Sequence, residues 1–299
     1  MIRSVDATTK LFGLLGHPVS HSLSPIFQNF MAVSKGVNAV YLAFDVVEED
    51  FAQVVEGFAK AGCVGFNVTV PHKEAAYRLS EFRDDFAELT GAVNTLKFEK
   101  EKDWVKKLGY NTDVKGFVDD VKKFDGIKNF PKEALILGAG GAARAAVVAL
   151  LTEGWKIFLA NRTLERARVL RKDILERADR IGYAGEFGEI EVLPLREEVL
   201  RDVKGTLIVN ATSLGLHPED PSPVSENVLS NFVYAYDLIY HETRFQRMAR
   251  DNSLKVRNGL GMLVEQGILS FSIWFGEEMD FDTVYSFLIG YLSYAKRRP

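Results

Sequence analysis

Hydrophobic and polar positions along the first third of the chain follow two periods, which predicts strands separated by helices. LFGLLG and NAVYLAFDV read as buried strands, and Val64–Val70 alternates as a strand does. Apolar positions between Phe51 and Ala59 recur at helical spacing instead. Strands that alternate with helices are typical of parallel sheets covered on both faces.

A hairpin and a second strand–helix series follow. AVNTLKFE and WVKKLGY predict two strands joined by a charged turn. EALILG, GTLIVNATS and VYAYDLI then read as buried strands that open into polar residues, and about forty final residues predict two apolar helices that need a surface to pack on. At 299 residues the chain exceeds most single cores, so we predict an α/β protein of two domains.

Composition and charge argue against several classes of protein. The net charge is −4 and the basic residues are dispersed, so nucleic acid is not an expected partner. We expect no membrane span, because no apolar run reaches 18 residues, and no secretory signal, because the Met1 start lacks a basic stretch followed by an apolar one. The single cysteine, Cys63, favours a reducing cytoplasm. His17 and His21 have metal-ligand spacing, but Pro18 disfavours a helix there, so no metal is predicted.

A glycine-rich turn stands between a predicted strand and an apolar helix. Gly138, Gly140 and Ala143 form a G-x-G-x-x-A pattern in which Gly138 permits a tight turn and Gly140 leaves room for a pyrophosphate. Such a turn can also be a plain βα connection, but the strand before it and the helix after it favour dinucleotide binding. The candidate pyrophosphate site is Gly138, Ala139, Gly140, Gly141 and Ala142.

The end of the next strand favours one cofactor over another. An NAD site usually carries Asp or Glu here to accept the ribose hydroxyls. This chain has Asn161, Arg162 and Thr163, with Arg166 one turn later, and guanidinium groups suit a 2′-phosphate. The alternative is an exposed basic helix start paired with Glu165, but cations are unfavourable at a helix N-terminus. We therefore predict NADP rather than NAD.

A lysine stands where helix electrostatics disfavour it. Pro71 suits a first helical turn, which places Lys73 at the positive end of the helix dipole at a cost of about 0.3–1 kcal/mol. Lys73 also follows the carboxyl end of a strand, where open α/β sheets bind ligands. Asn94 lies in a strand and Asp113 just before a helix, although Asp113 and Ser24 could simply be N-caps and Asn94 could satisfy a turn.

Taken together, nine segments closely resemble the shikimate dehydrogenase family, in the family's order and over nearly the whole chain. They are HSLSP at 21–25, NVTVPHK at 67–73, GAVNTL at 91–96, NTD at 111–113, GAGGAAR at 138–144, NRT at 161–163, NATS at 210–213, YDLIY at 236–240 and NGLGMLVEQ at 258–266. The series is far more specific than any one motif.

The resemblance implies an activity and an architecture. The activity is reversible NADPH-dependent reduction of 3-dehydroshikimate to shikimate, in the biosynthesis of chorismate and aromatic amino acids. Residues 1–113 and 258–299 would form an α/β substrate-binding domain that the C-terminal helices complete, and residues 114–257 a Rossmann-like NADP-binding domain. The protein would be a cytoplasmic monomer or homodimer.

The resemblance also implies residue roles, carried over position by position. Lys73 and Asp113 match the catalytic pair, in which an ammonium group would stabilise the negative charge that hydride delivery leaves on a ketone oxygen. Whether Lys73 or a water donates the proton stays open. The implied substrate contacts are Ser22, Ser24 and Tyr236 at the carboxylate and Asn67, Thr69, Asn94 and Gln266 at the ring. The implied contacts near the nicotinamide are Thr212, Ser213, Gly259 and Met262.

Two alternatives and one departure accompany this interpretation. A broader quinate/shikimate dehydrogenase could use NAD or NADP, and a catalytically silent NADP-binding sensor is the rival from another class. The presence of both Lys73 and Asp113 speaks against the silent protein. The segment after Tyr240 is shorter than the family's usual loop and has Arg244 where a proline is common, which could alter the edge of the cofactor site.

Overall fold

The computed structural model describes residues 5–183, 185 and 187–295, and the chain divides into two units. Unit 1 runs to Thr112 and resumes at Val264, and unit 2 comprises Asp113–Leu263. Each unit contains its own six-stranded sheet. The first boundary therefore falls directly after Thr112.

Unit 1 is built on a mixed sheet. Its strand order is β2-β1-β3-β5-β6-β4; β1 is parallel to β2 and β3, whereas β5 is antiparallel to β3 and β6. The elements are β1 (Lys10–Gly16), α1 (Ser24–Ser34), β2 (Ala39–Asp45), α2 (Phe51–Lys60), β3 (Gly65–Val68), α3 (Lys73–Leu79), β4 (Phe82–Arg83), α4 (Asp85–Thr90), β5 (Thr95–Lys100) and β6 (Val105–Tyr110). The predicted β5–β6 hairpin is confirmed, and it makes this sheet mixed rather than parallel.

The apolar C-terminal helices cover the sheet of unit 1. They are α11 (Gly259–Phe275) and α12 (Phe281–Ala295), and both predicted helices are confirmed. On α11, the Trp274 indole N–H donates to the Leu96 carbonyl at 2.9 Å and its ring meets Phe12 edge-on. Phe287 of α12 stacks on Phe30 of α1, with ring centroids 3.8 Å apart. These contacts account for the apolar sequence of the last forty residues.

Unit 2 is built on a fully parallel sheet of order β12-β11-β10-β7-β8-β9, the doubly wound arrangement. Its elements are α5 (Thr112–Val121), β7 (Glu133–Leu137), α6 (Gly141–Leu151), β8 (Lys156–Asn161), α7 (Leu164–Ile181), β9 (Ile190–Pro194), α8 (Glu197–Leu200), β10 (Leu207–Asn210), α9 (Glu226–Leu229), β11 (Tyr234–Asp237), α10 (Arg244–Asp251) and β12 (Lys255–Asn258). Because helices cover both faces, the central strands are continuous apolar runs.

Three local predictions need correction. Pro71 lies in the turn before α3, and the helix begins at Lys73 rather than at Pro71. His72, at the N-cap position, is buried; its ring stacks on Phe51 and donates to the Val46 carbonyl at 2.6 Å. Ser24 is the first residue of α1 and makes no cap, because the preceding residue occupies the cap position. Asp113 lies within the first turn of α5.

A half-buried carboxylate ties α4 to the segment that leads into α5. Asp84 Oδ1 accepts the backbone N–H of Ala87, which caps α4, and also the backbone N–H of Asn111, at 2.8 and 3.1 Å. Burial raises the pKa of Asp84 from 3.8 to about 6, although both hydrogen bonds oppose the shift. The ionised carboxylate is therefore held at a cost in free energy.

The raised pKa of Asp84 predicts a pH-dependent stability. Because the pKa of Asp84 is higher in the folded state, its protonated carboxyl contributes stability that is fully present below the unfolded value of 3.8. This stability is lost as the pH rises through about 6. Asp84→Asn keeps an oxygen acceptor without the charge. The free energy of unfolding of this variant minus that of the native protein should therefore be larger at pH 7.5 than at pH 4. Urea denaturation at both pH values measures this.

Asp103→Asn, on the exposed turn of the β5–β6 hairpin, is the matched control. Its difference from the native protein should be the same at both pH values. A constant difference for Asp84→Asn as well would contradict the role of its burial.

Candidate functional site

A buried carboxamide on β3 joins three elements of unit 1. Asn67 Nδ2 donates to Thr95 Oγ1 on β5 at 3.1 Å and to Ser270 Oγ on α11 at 2.9 Å. Its Oδ1 accepts the hydroxyl of Tyr41 on β2 at 2.9 Å. Because donors and acceptor are engaged, the orientation of the Asn67 amide is determined.

A second carboxamide anchors the start of α5. Asn94 Oδ1 accepts the backbone N–H of Thr112 at 2.8 Å, and its Nδ2 donates to Thr112 Oγ1 at 3.0 Å. The Asn94 carbonyl in turn accepts from Asn67 Nδ2 at 3.3 Å. Asp113 follows Thr112 directly, so this amide helps to set the position of the Asp113 backbone.

The backbone of Lys73 lies beside the same network. Its carbonyl accepts the N–H of Val93 at 3.0 Å, one residue before Asn94. The Lys73 side chain is half-buried at the first position of α3, within the first helical turn where the sequence predicts it. Segments separated by about forty positions, those of Lys73, Asn94 and Thr112, are thus linked by hydrogen bonds within unit 1.

The two candidate serines connect to this network through a tyrosine. The Ser24 backbone N–H donates to Ser22 Oγ at 3.2 Å, and the buried Ser24 hydroxyl bonds the Tyr41 hydroxyl. Burial raises the pKa of Tyr41, so its hydroxyl stays protonated and serves as the donor to Asn67. Sequence reasoning missed Tyr41, although a polar ring inside the run NAVYLAFDV was a signal.

Gln266 and Ser270 share one face of α11. Ser270 Oγ donates to the Gln266 carbonyl at 2.8 Å, and both residues are buried. Ser270 also lies 2.8 Å from Thr95 Oγ1. Thr69 lies half-buried just past the end of β3, and its backbone N–H donates to Leu15. Sequence reasoning also missed Ser270, although a hydroxyl among apolar neighbours in a helix was a signal.

Tyr236 is not placed to bind a substrate carboxylate. It is fully buried inside unit 2, on β11, and its hydroxyl donates to Asp120 Oδ2 at 2.6 Å. The strand's alternation directs Tyr236 and Tyr234 alike into the packing against α5. Tyr240, three residues beyond β11 in the same YDLIY segment, has 41% of its surface exposed. The prediction of Tyr236 was wrong because residues inside a central strand are buried, whereas those past its carboxyl end reach ligands.

The glycine turn of unit 2 has the shape that a pyrophosphate needs. Gly138 has φ +112°, and a Cβ there would lie 2.6 Å from the Ala211 carbonyl oxygen, so glycine is required. At Gly140 and Gly141, where α6 begins, a Cβ would meet no atom of the described residues within 4 Å. Ala139 is half-buried and Ala142 exposed, so the helix N-terminus is open to an anion.

The end of β8 presents two arginines. Arg162 and Arg166 are both exposed, and within the described ranges no ion pair joins either one to a carboxylate. Glu165, their expected partner in the alternative interpretation, pairs with Arg168 at 3.5 Å instead. The arrangement therefore favours an external anion over an internal ion pair.

Asn161 and Thr163 shape the turn that carries these arginines. Asn161 Nδ2 donates to the Thr163 carbonyl at 2.8 Å. Thr163 occupies the N-cap position of α7, yet its hydroxyl makes no capping hydrogen bond. The Thr163 side chain is exposed and adds a hydroxyl to the same surface.

A buried carboxylate organises the loops after β10 and β11. Asp237 accepts from Asn210 Nδ2 at 3.1 Å, from Thr243 Oγ1 at 2.6 Å and from Gln246 Nε2 at 3.1 Å. Burial raises the pKa of Asp237 despite these donors. Asn210 Oδ1 accepts both the N–H and the hydroxyl of Thr212, so the candidate Thr212 is held at the end of β10.

The remaining candidates of unit 2 lie at segment ends. Ser213 is exposed in the loop after β10, Gly259 begins α11, and Met262 is half-buried one turn later. Arg244, where the family commonly has proline, is the first residue of α10, a position that suits proline equally well. The unusual residue thus keeps the local geometry.

Comparison with known proteins now bears on this arrangement. Family models match three stretches: the shikimate dehydrogenase substrate binding domain at residues 14–96, shikimate / quinate 5-dehydrogenase at 121–184 and the shikimate 5'-dehydrogenase C-terminal domain at 259–286. A shikimate dehydrogenase (NADP(+)) of Caldanaerobacter subterraneus is 42% identical over 96% of this chain and 99% of its own. The chain belongs to the shikimate dehydrogenase family.

Two further relatives extend the comparison within the shikimate dehydrogenases. The enzyme of Aquifex aeolicus is 41% identical over 93% of this chain and 95% of its own. A crystal structure of the Thermus thermophilus enzyme, in complex with NADP(H) and shikimate, has a TM-score of 0.78 and 34% identity, covering 94% of this chain and 99% of that one. The family resemblance and the α/β fold class predicted from the sequence are confirmed.

What a membrane span and a metal cluster require can be compared with the described residues. In the part of the chain that the structure describes, no helix has the length and apolarity to cross a bilayer. Across the same residues, no three His, Cys, Asp or Glu side chains are grouped to hold a metal. His17 pairs with Asp45 rather than with His21.

The exposed arginines predict a measurable cofactor preference. Arg162→Ala should raise the Kd of NADP⁺ about tenfold or more and leave that of NAD⁺ almost unchanged, because one charge-assisted contact to a phosphate is lost. Arg168→Ala, on the helix α7 that follows and paired with Glu165, is the control and should change neither. Titration calorimetry measures both constants. An equal loss for the two cofactors would show that Arg162 does not contact the 2′-phosphate.

Proposed function

We propose that the chain catalyses the reversible NADP-dependent reduction of 3-dehydroshikimate to shikimate, a step toward chorismate, with unit 1 binding the substrate and unit 2 the cofactor. Near full-length relatives are NADP-dependent shikimate dehydrogenases, and family membership confirms the predicted oxidoreductase activity on a CH–OH group and the predicted NADP. The observation that carries the residue assignment is the buried network that joins the segments of Lys73, Asn94 and Thr112.

Hydroxyl groups bind the substrate carboxylate in this proposal. Ser22 and Ser24 supply hydroxyls at the start of α1, that of Ser24 by rotating its proton from Tyr41 to the carboxylate, and Tyr240 replaces Tyr236 as the third. Neutral donors leave the carboxylate its charge without requiring a buried arginine. The space beside Ser22 and Ser24 decides whether a substrate with an additional hydroxyl on the carbon that carries the carboxylate, such as quinate, is accepted.

Carboxamides and a hydroxyl bind the ring. Asn67, Asn94 and Gln266 are buried, and Thr69 is half-buried beside them. The two asparagine amides are oriented by the hydrogen bonds described above, so the second N–H of Asn94 and the remaining oxygen lone pairs of Asn67 and Asn94 are directed before the substrate arrives. Such preorganised groups stabilise a bound polyol without reorganisation during the reaction.

Lys73 and Asp113 form the catalytic pair. NADPH, when bound, supplies the hydride that reduces the ketone. The Lys73 ammonium stabilises the negative charge that develops on the substrate oxygen, and Asp113 orients the ammonium and the neighbouring hydroxyl. This requirement explains why a lysine occupies the first position of α3 against the helix dipole.

The cofactor contacts follow from the open surfaces of unit 2. Backbone N–H groups of the run 138–142 bind the pyrophosphate, and Arg162, Thr163 and Arg166 bind the 2′-phosphate, with Asn161 shaping their turn. Thr212, Ser213, Gly259 and Met262 border the nicotinamide. The open backbone at Gly140 and the exposed arginine surface support this assignment over a plain βα turn.

We also place the enzyme in the cytoplasm, as a monomer or homodimer that binds neither nucleic acid nor membrane. The sole cysteine, Cys63, is a buried free thiol, and burial raises its pKa, which keeps it protonated and unreactive. The scattered basic residues and a net charge of −4 support the absence of a nucleic acid partner.

Removal of the lysine tests the catalytic assignment. Lys73→Ala should lower kcat about 10²-fold or more, which is the effect of losing a general acid or an oxyanion donor, and should leave the Kd of NADP⁺ unchanged. Lys60→Ala, at the exposed end of α2 and paired with Glu56, is the control and should keep full activity. Steady-state kinetics and a binding titration provide both numbers. Near-normal kcat in Lys73→Ala would exclude Lys73 from the mechanism.

A four-way assay tests substrate and cofactor together. Quinate is the specific rival, since the family model that matches residues 121–184 covers both shikimate and quinate dehydrogenases. Oxidation of shikimate with NADP⁺ should have the highest kcat/KM among the four combinations of shikimate or quinate with NADP⁺ or NAD⁺. Faster turnover of quinate with NAD⁺ would establish the broader enzyme instead.

A further inference from the structure

The hydroxyl of Tyr236 links the sheet of unit 2 to the first turn of α11. It donates to Asp120 Oδ2 on α5 at 2.6 Å and accepts the backbone N–H of Met262. Met262 is one of the residues assigned to the nicotinamide. Tyr236 is too buried to reach a ligand. By one hydrogen bond it nevertheless holds the backbone of Met262, which is assigned to the border of the nicotinamide.

Asp120 completes the connection from a second direction. Its carboxylate is fully buried and pairs with the Arg257 guanidinium on β12, the strand that leads into α11. A Cβ built on Gly261 would overlap the carboxylate oxygens, so the first turn of α11 packs its backbone directly on Asp120. Three contacts thus hold the first turn of α11: the hydrogen bond from Met262 to Tyr236, the pairing of Asp120 with Arg257 on β12, and the close approach of the Gly261 backbone to Asp120.

The same carboxylate also belongs to the helix that carries Asp113. Asp120 lies seven residues after Asp113 on α5, about two helical turns. Phe117 and Phe124, on and just after that helix, pack edge-on or tilted against the rings of Tyr236 and Tyr234. The buried Asp120 carboxylate is therefore in contact with the start of α11 while being part of α5, and it fixes these two segments relative to each other within unit 2.

We propose that Tyr236, acting through Asp120 and the backbone of Met262, is a positioning residue that sets the nicotinamide against the substrate. This inference rests on the proposed function, because it requires that Met262 borders the nicotinamide. The tyrosine has no contact with the reacting atoms. Its removal should impair hydride transfer while the distant 2′-phosphate contacts of the cofactor stay intact.

The test uses two matched variants of β11. Tyr236→Phe removes only the hydroxyl and keeps the ring packing. Tyr234→Phe is the control, since Tyr234 is on the same strand and face and equally buried, but its hydroxyl donates to the Asp125 carbonyl at 2.8 Å, away from α11. Thermal unfolding of both variants measures the loss of stability that removing a buried tyrosine hydroxyl causes in each.

Tyr236→Phe should lower kcat for shikimate oxidation by about 10- to 100-fold, the range for a misplaced reacting group. The kinetic isotope effect with shikimate deuterated at carbon 3 should rise, because hydride transfer becomes rate-limiting, and the Kd of 2′,5′-ADP should stay unchanged. Tyr234→Phe should retain the native kcat and isotope effect even where its stability falls equally.

Native kcat in Tyr236→Phe, or equal loss in both variants, would overturn the positioning role. If Tyr236→Phe does not fold, Asp120→Asn, which weakens the same connection from the other side, should show the same kinetic pattern, and native kcat in that variant would likewise overturn the role. An inactive native protein would instead refute the proposed function itself, so the two failures are distinguishable.

Discussion

A buried amide must satisfy its hydrogen bonds inside the protein, and in unit 1 this requirement brings the candidate site together. The Asn94 carboxamide can be buried only because Thr112 supplies both a backbone donor and a hydroxyl. Since Asp113 is the next residue, the bond that satisfies Asn94 also sets the start of α5. The neighbouring backbone bond from Val93 to Lys73 adds the third segment. Stability and site geometry thus share the same atoms.

Two buried carboxylates of unit 2 must also be satisfied inside the protein, and their partners are of two different kinds. Asp237 is surrounded by neutral donors, whereas Asp120 pairs with the Arg257 guanidinium and accepts from Tyr236. A carboxylate with neutral donors orders loops without a counter-charge, and it does so at the ends of β10 and β11. A charge pair joins more distant strands and helices, but removing either partner leaves a buried charge, which is costly. The two carboxylates therefore constrain the cofactor-side loops and the start of α11 respectively.

The proposed cofactor surface is defined by open space rather than by buried hydrogen bonds. At Gly138 a side chain would strike the Ala211 backbone, while at Gly140 the space above the backbone is open among the described residues. A tight turn needs only the first of these properties. The second, together with arginines that make no ion pair within the described part of the chain, is what a diphosphate and a 2′-phosphate require. Both properties come from backbone course and charge, so the sequence alone was enough to propose this part of the site.

The sequence by itself determined the order of strands and helices, the hairpin, the glycine turn and the arginine pair, because these depend on residues adjacent along the chain. It also carried the family resemblance, since each motif is a short local string. Tertiary structure alone decided which polar groups face each other. YDLIY contains two tyrosines, and only the position of β11 inside its sheet buries Tyr236 and exposes Tyr240. Likewise Tyr41, Thr95 and Ser270 join the Asn67 network through pairings between distant strands and helices. Periodicity tells which face of an element is apolar, but not which partner that face meets.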